Sequence, residues 1–350
     1  MRMKRTRTYV ILGMALSLSI SLFVSDGWAA AAEIISFLPR GNGERSIHFI
    51  DTQGELLPRL MVGPGRIGSS FSWSPNGHSI THGSNQDGDP DIYVMDVRTN
   101  VERQLTFHQS RDIWPAWSPN GKWIAFISER DGEMDIYRID ANGENVMRLT
   151  NQGGCQRPAW SPDSESIAFS ASRKDAGIGS FIYVMSAEGK RLRRLTNTSS
   201  GVCTWSPDGK EIAYIPPGDA VGGIALFSIN INGKNMRQLT RLYKGLTLIT
   251  SPKWSPSGKR IAYILTETSE ELKRRLLQGA LVPAAEIFAN SVICIANTDD
   301  VGGGDPIETP RELVPGHLDW VPEEFLSVSP SAEKQITFWG KLKQSENAAK

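Results

Sequence analysis

Apolar and polar residues alternate along Asp135-Ile136-Tyr137-Arg138-Ile139-Asp140, the period of two that marks a β-strand with one residue per face in turn. The same short pattern returns at Ile92 to Asp96, Ile182 to Met185, Ala225 to Ile229 and Val292 to Ile295. Ahead of each lies a turn of fixed type: Trp73-Ser74-Pro75-Asn76-Gly77, Trp117-Ser118-Pro119-Asn120-Gly121, Trp160-Ser161-Pro162-Asp163-Ser164, Trp205-Ser206-Pro207-Asp208-Gly209 and Trp254-Ser255-Pro256-Ser257-Gly258. Proline presets φ in such a turn and glycine accepts a positive φ. The tryptophans stand 44, 43, 45 and 49 residues apart, and a strand-rich repeat of roughly 40 to 45 residues is the mark of a propeller blade.

One full repeat predicts four strands. An inner strand ends at Trp117-Ser118, and Lys122 to Ser128 forms the second, with Trp, Ile and Phe supplying β propensity. Asp135 to Asp140 is the third, Ala141-Asn142-Gly143 a hairpin, and Asn145 to Thr150 the outer strand. Outer strands end alike at Gln104-Leu105-Thr106, Arg148-Leu149-Thr150, Arg194-Leu195-Thr196 and Gln238-Leu239-Thr240, with Glu312-Leu313-Val314 a weaker fifth. That makes five blades. The ends supply a sixth, from 34–60 and 326–340: Ser46 to Gly54 reads as a third strand and hairpin, and Leu326 to Ser329 with Gln335 to Trp339 as inner and second strands. Ile34 to Leu38 also resembles a second strand, so either terminus could fill that place. The expectation is an all-β, six-bladed β-propeller of four-stranded antiparallel blades, closed by a composite blade that removes the open sheet edge; seven blades is the alternative count.

The 266–290 insertion breaks the period. Thr268 followed by Glu271 is a capping-box pattern, and Leu272, Leu276 and Leu277 share a helical face, predicting a surface helix from Ser269 to about Gln278. Gly302 to Pro306 reads as a loose loop, and residues 343–350 as a polar tail.

Charge and the first residues add a location. The 38 basic and 38 acidic residues cancel, so no global field draws nucleic acid. Arg2, Lys4, Arg5 and Arg7 precede an apolar run from Tyr9 to Val24 and small residues at Ala29 to Ala32, which is the build of a secretory signal peptide over residues 1–31. Cleavage is expected near Ala29 to Ala31, leaving one propeller domain over 32–342, periplasmic or secreted, without a stable membrane span.

With five tandem Trp-Ser-Pro turns and Ile-Tyr third strands, the chain resembles the TolB-like propellers from about Ile34 to Lys341. The resemblance implies the fold and an exported, propeller-only relative. It is less specific for function, because similar blades occur in the TolB translocation protein, in prolyl-oligopeptidase-type peptidases and in some polysaccharide lyases.

The chemistry-bearing residues scatter. Neither Gly179-Ser180 nor Gly68-Ser69-Ser70 fits the Gly-x-Ser-x-Gly elbow of a serine hydrolase. His78 and His82 would stand about 13 Å apart on a strand, and His48, His108 and His317 lie in other repeats. Asp87, Asp89 and Asp91 could suggest calcium, but later blades lose these acids and the stretch reads as a solvated turn with a strand-start aspartate; no metal or cofactor is expected. Cys155, Cys203 and Cys294 read as buried thiols, with a pairing of the first two as the alternative. Crossovers between blades and loops between second and third strands share one face. There His108, Arg111, Asp112, Trp114, Gln156, Arg157, Tyr243, Lys244 and the insertion should surround the channel mouth, and aromatic and Arg residues anchor interfaces. The reading is a monomeric, non-catalytic scaffold that binds a protein or peptide of the cell envelope. The alternative is a polysaccharide lyase or hydrolase, or a glycan-binding module, working at the same mouth.

Overall fold

The computed structural model describes residues 33–325 apart from 41–45, 63–66, 173–178, 199, 217–222, 246, 279, 301–303, 308–312 and 323–324. Six four-stranded antiparallel sheets follow one another along the chain. Blade two shows the plan: inner strand Asp112–Trp117, second Trp123–Ser128, third Asp135–Asp140, outer Met147–Arg148. The Trp-Ser-Pro turn joins the first two, with the Gly121 N–H donating to the Ser118 carbonyl at 2.9 Å and Gly121 at φ 74°. The recurrent Leu-Thr ending has a mechanical role. In blades one to four an N–H at the start of the third strand donates to the threonine hydroxyl fourteen residues on: Ile92 to Thr106, Ile136 to Thr150 and Ile182 to Thr196 from the strand's second residue, and Leu226 to Thr240 from the residue just before it. A group at the blade's end that would otherwise lack a ladder partner is thereby satisfied.

Why the second strand abandons alternation follows from the packing. Trp123 to Ser128 is apolar almost throughout because both faces of a blade are covered. Ile124 and Phe126 pack toward Ile92 and Leu105 of blade one, whereas Ala125 and Ile127 pack toward Trp160 and Phe169 of blade three. The described residues hold six apolar clusters, one at each seam between neighbouring blades. The tryptophan of the turn stitches these seams. The Trp160 indole N–H donates to the Ala116 carbonyl, Trp205 to Ala159 and Trp320 to Lys253, at 3.0, 3.0 and 2.9 Å.

Blade six is composite, but its inner strand is not the expected one. Pro315–Trp320 is innermost, Ile34–Pro39 second, Ser46–Asp51 third and Leu56–Met61 outer. Ile35 pairs with Trp320 and Phe37 with Leu318, so the N-terminal side fills the second position, and residues 326–340 lie outside the described residues. The overlooked signal is Trp320-Val321-Pro322, a Trp-Ser-Pro turn with valine in place of serine. Blade five also departs from expectation. Its outer strand is Asp305–Ile307, with Ile307 opposite Ile293, rather than the Glu312–Val314 segment. The stretch read as a loose loop docks because Ile307 buries its side chain in the seam with blade six. The insertion does carry a helix, Glu270–Leu277, but its cap is Ser269, whose hydroxyl accepts from the Leu272 N–H at 3.2 Å. A second short helix, Ala284–Ile287, follows. Among the described residues no helix is long and apolar enough to cross a membrane, and the expected signal peptide lies outside them.

Candidate functional site

The six inner strands turn their free edges to a central channel of about 520 Å³. Counting back from each turn tryptophan organises its wall. The residue one before it contributes Ser72, Ala116, Ala159, Thr204, Lys253 and Asp319; the residue three before it contributes Ser70, Trp114, Arg157, Val202, Ser251 and His317. The prolines of the turns surround one end. The ring containing Trp114 and Arg157 lies toward the other, where the crossover loops gather.

A bulge aims this ring inward. Pairing with the second strand slips between Ile113 and Ala116, between Gln156 and Ala159, and between Thr250 and Lys253. The residue carried out is left-handed in each case: Trp114 at φ 54°, Arg157 at 48° and Ser251 at 50°. Positive φ is costly for a side chain with a Cβ, on the order of 1–3 kcal/mol. Proline follows each of them, as Pro115, Pro158 and Pro252. A sheet tolerates proline on an edge strand or at a bulge, where its missing N–H breaks no ladder bond. The motif x-Pro-x-Trp-Ser-Pro therefore marks a residue delivered to the channel, a signal present in the sequence for Arg157 and Ser251.

The charges of this wall are unevenly spent. Lys253 Nζ lies 3.4 Å from Asp319 Oδ1, and that same oxygen accepts from the Trp320 N–H at 3.0 Å. Burial raises the Asp319 carboxyl above its ordinary range, opposed by Lys253. Arg157 has no carboxylate partner among the described residues; its guanidinium stands 5.2 Å over the Trp114 ring, and burial and the charge of Arg40 both lower its affinity for a proton. Arg40 comes from the loop after the second strand of blade six, its guanidinium 3.7 Å above Phe288 of the insertion. His317 Nε2 lies 3.1 Å from the Phe71 carbonyl. Because a carbonyl only accepts, Nε2 carries the hydrogen and Nδ1 is left as a bare acceptor, buried without a partner. Burial, Lys253 and Arg157 together push the imidazole well below its ordinary value, so it is neutral.

The expected site residues separate into two groups. Trp114 and Arg157 line the channel, and Gln156 sits beside Arg157 on the same strand, half-buried and opposite Ser170. His108, Arg111 and Lys244 are exposed; His108 Nδ1 accepts from the Ser110 N–H and Arg111 lies 3.2 Å from Glu129. Asp112 and Tyr243 are spent inside the protein. Asp112 is fully buried and pairs with Arg130 at 2.9 Å, and the Tyr243 hydroxyl meets that of Tyr263 at 2.6 Å. Sequence reasoning missed Ser251, Lys253, Asp319 and Arg40, and placed His317 only as one of the scattered histidines.

The other candidate centres have structural partners. Asp87 accepts from the Tyr93 hydroxyl, and Asp91 accepts from Thr106 and Gln104. Among the described residues no three His, Cys, Asp or Glu side chains gather where a metal ion could sit. Cys155, Cys203 and Cys294 are buried free thiols, each pushed up to about 12 by burial, which keeps them protonated and unreactive.

A closed ring of six four-stranded blades around an open, lined channel defines a six-bladed β-propeller. The family model described as the TolB beta propeller domain matches residues 15–157 and 150–278; the chain belongs to that family. An uncharacterized protein of Agrobacterium fabrum is 33% identical over 185 residues, covering 49% of this chain and 62% of the relative, which is less than two thirds of its length. The crystal structure of TolB from Acinetobacter baumannii matches with a TM-score of 0.59 and 22% identity, over 91% of this chain and 74% of that one. A putative TolB from Agrobacterium tumefaciens gives 0.57 and 17%, over 79% and 88%. At these identities the likeness to the solved structures is one of fold.

Proposed function

We propose that this protein is an exported, monomeric propeller that binds a protein or peptide of the cell envelope on its crossover-loop face, without catalysis. One observation carries the reading. Neighbouring blades hold Trp114 and Arg157, the side-chain types that dominate interface energetics, in strained left-handed backbone at the channel mouth. Strain of that kind gathers at ligand-holding positions. Exposed His108, Arg111 and Lys244 extend the face outward.

The test is affinity capture from a cell-envelope extract with the full chain and with an Arg111→Ala, Trp114→Ala double variant. Asp112 is left intact because it pairs with Arg130. A partner retained by the first and lost by the folded second supports the reading. Equal capture by both removes this face from it, and turnover of an acidic polysaccharide by the unaltered chain would replace binding with catalysis. Fractionation of a C-terminally tagged chain, with the mature N-terminus sequenced, tests export and cleavage near Ala29 to Ala31.

A further inference from the structure

We propose that the channel is a carboxylate site: Arg157 pairs with the carboxylate of an extended peptide entering from the crossover face, and Ser251 and His317 hydrogen-bond beside it. This deepens the binding reading above and rests on it.

Charge is the first support. Arg157, Lys253 and Asp319 are the charged residues lining the described channel. Lys253 and Asp319 neutralise each other, which leaves one uncompensated guanidinium, and Arg40 adds to the same field. A guanidinium is planar, carries five donors and matches a carboxylate two bonds at a time. Half-buried and without an anion beside it among the described residues, it stands poised to take one.

Unused hydrogen-bonding capacity is the second. Buried polar groups are nearly always paired, yet the Ser251 hydroxyl, on a residue 3% exposed, has no partner, and neither does His317 Nδ1. Both residues line the channel. Blades three and six are opposite in a ring of six, so Arg157 and His317 face one another across the lumen. The two positions ask for different things. Arg157 needs an acceptor, whereas bare Nδ1 needs a donor. A carboxylate close to a backbone N–H satisfies both, and the end of a peptide chain supplies that pair. Trp114 gives an apolar flank beneath the guanidinium. About 520 Å³ lies within the roughly 300–1,000 Å³ of small-ligand sites, so the lumen admits the end of a chain or one side chain, not a folded domain.

The test titrates the full chain with three probes by calorimetry: N-acetyl-tetraalanine with a free carboxyl end, its amide, and the amide with one alanine replaced by glutamate. Binding by the first or third and not the second is expected, the two arms separating a chain-end from a side-chain carboxylate. Arg157→Gln should weaken that binding at least tenfold and Ser251→Ala a few-fold, each with an unfolding midpoint close to that of the unaltered chain. Equal binding of the neutral amide, no binding of either acid, or acid binding unchanged in Arg157→Gln would overturn the proposal. These outcomes are separable from failure of the scaffold reading: a captured partner lost with Trp114 and Arg111 while no acid probe binds leaves that reading standing and removes this one.

Discussion

Two arginines one blade apart meet opposite fates. At the seam of blades one and two, Arg130 bonds the fully buried Asp112 at 2.9 Å and also stands 4.8 Å over the Tyr137 ring. At the channel, Arg157 has a ring beneath it and no carboxylate among the described residues. The seam closes on itself because two sheets must pack there, and a buried charge must be paired to be tolerated. The channel is walled by edge strands that touch nothing across the lumen, so a charge there can remain unspent. Polar residues at the seam serve the fold, whereas the lumen pairs Lys253 with Asp319 and leaves Arg157 without a carboxylate among the described residues.

The comparison is most sharply broken at the seam. Arg130→Met leaves Asp112 buried without its cation, and loss of about 3–5 kcal/mol in urea unfolding is expected; a change below about 1 kcal/mol would mean that the pair does not hold the seam. Next comes pH. His317 has its proton affinity lowered in the folded state, so its contribution is complete above its ordinary value near 6.5 and is lost as pH falls below it. The slope should approach 1.4 kcal/mol per pH unit. Unfolding midpoints at pH 8 and 5.5 should diverge in the unaltered chain, and less in His317→Gln. Trp320→Phe removes the indole bond to Lys253 while keeping an aromatic ring in the closing blade, for about 1 kcal/mol or slightly more; a null effect would show that the closing blade is held by its ladder and apolar contacts alone. Smallest and opposite in sign is Arg157→Gly. Relief of the left-handed backbone should raise stability by up to about 1 kcal/mol while abolishing carboxylate binding, a trade of stability for function. A loss of stability there would show that Arg157 belongs to the scaffold.

How far the channel could be read in advance differs residue by residue. Trp114 and Arg157 stood out as an aromatic and an arginine in the crossovers between blades. Asp112 and Tyr243 stood out for similar reasons and turned inward, since exposure depends on which seam a loop packs against and no local pattern encodes that. Lys253 and Asp319 were missed because they become neighbours only when blades five and six meet. Blade six itself was half legible. Val321 in the serine position disguised the turn, and the preceding outer strand docked earlier than the Leu-Val pattern suggested.

The repeat by itself determined the four-strand blade plan, its turns and five of the blades, with the two ends left to complete a sixth. A period near 44 residues with fixed turn chemistry admits few other folds, and each blade, apolar on both faces, requires neighbours. Only the tertiary structure decided which terminal strand closes the ring, which carboxylates the seams consume and which guanidinium is left facing the lumen. The reason is physical. Strand and turn preferences act over a few adjacent residues, whereas the pairing of a charge depends on what the closed ring brings beside it from the far end of the chain.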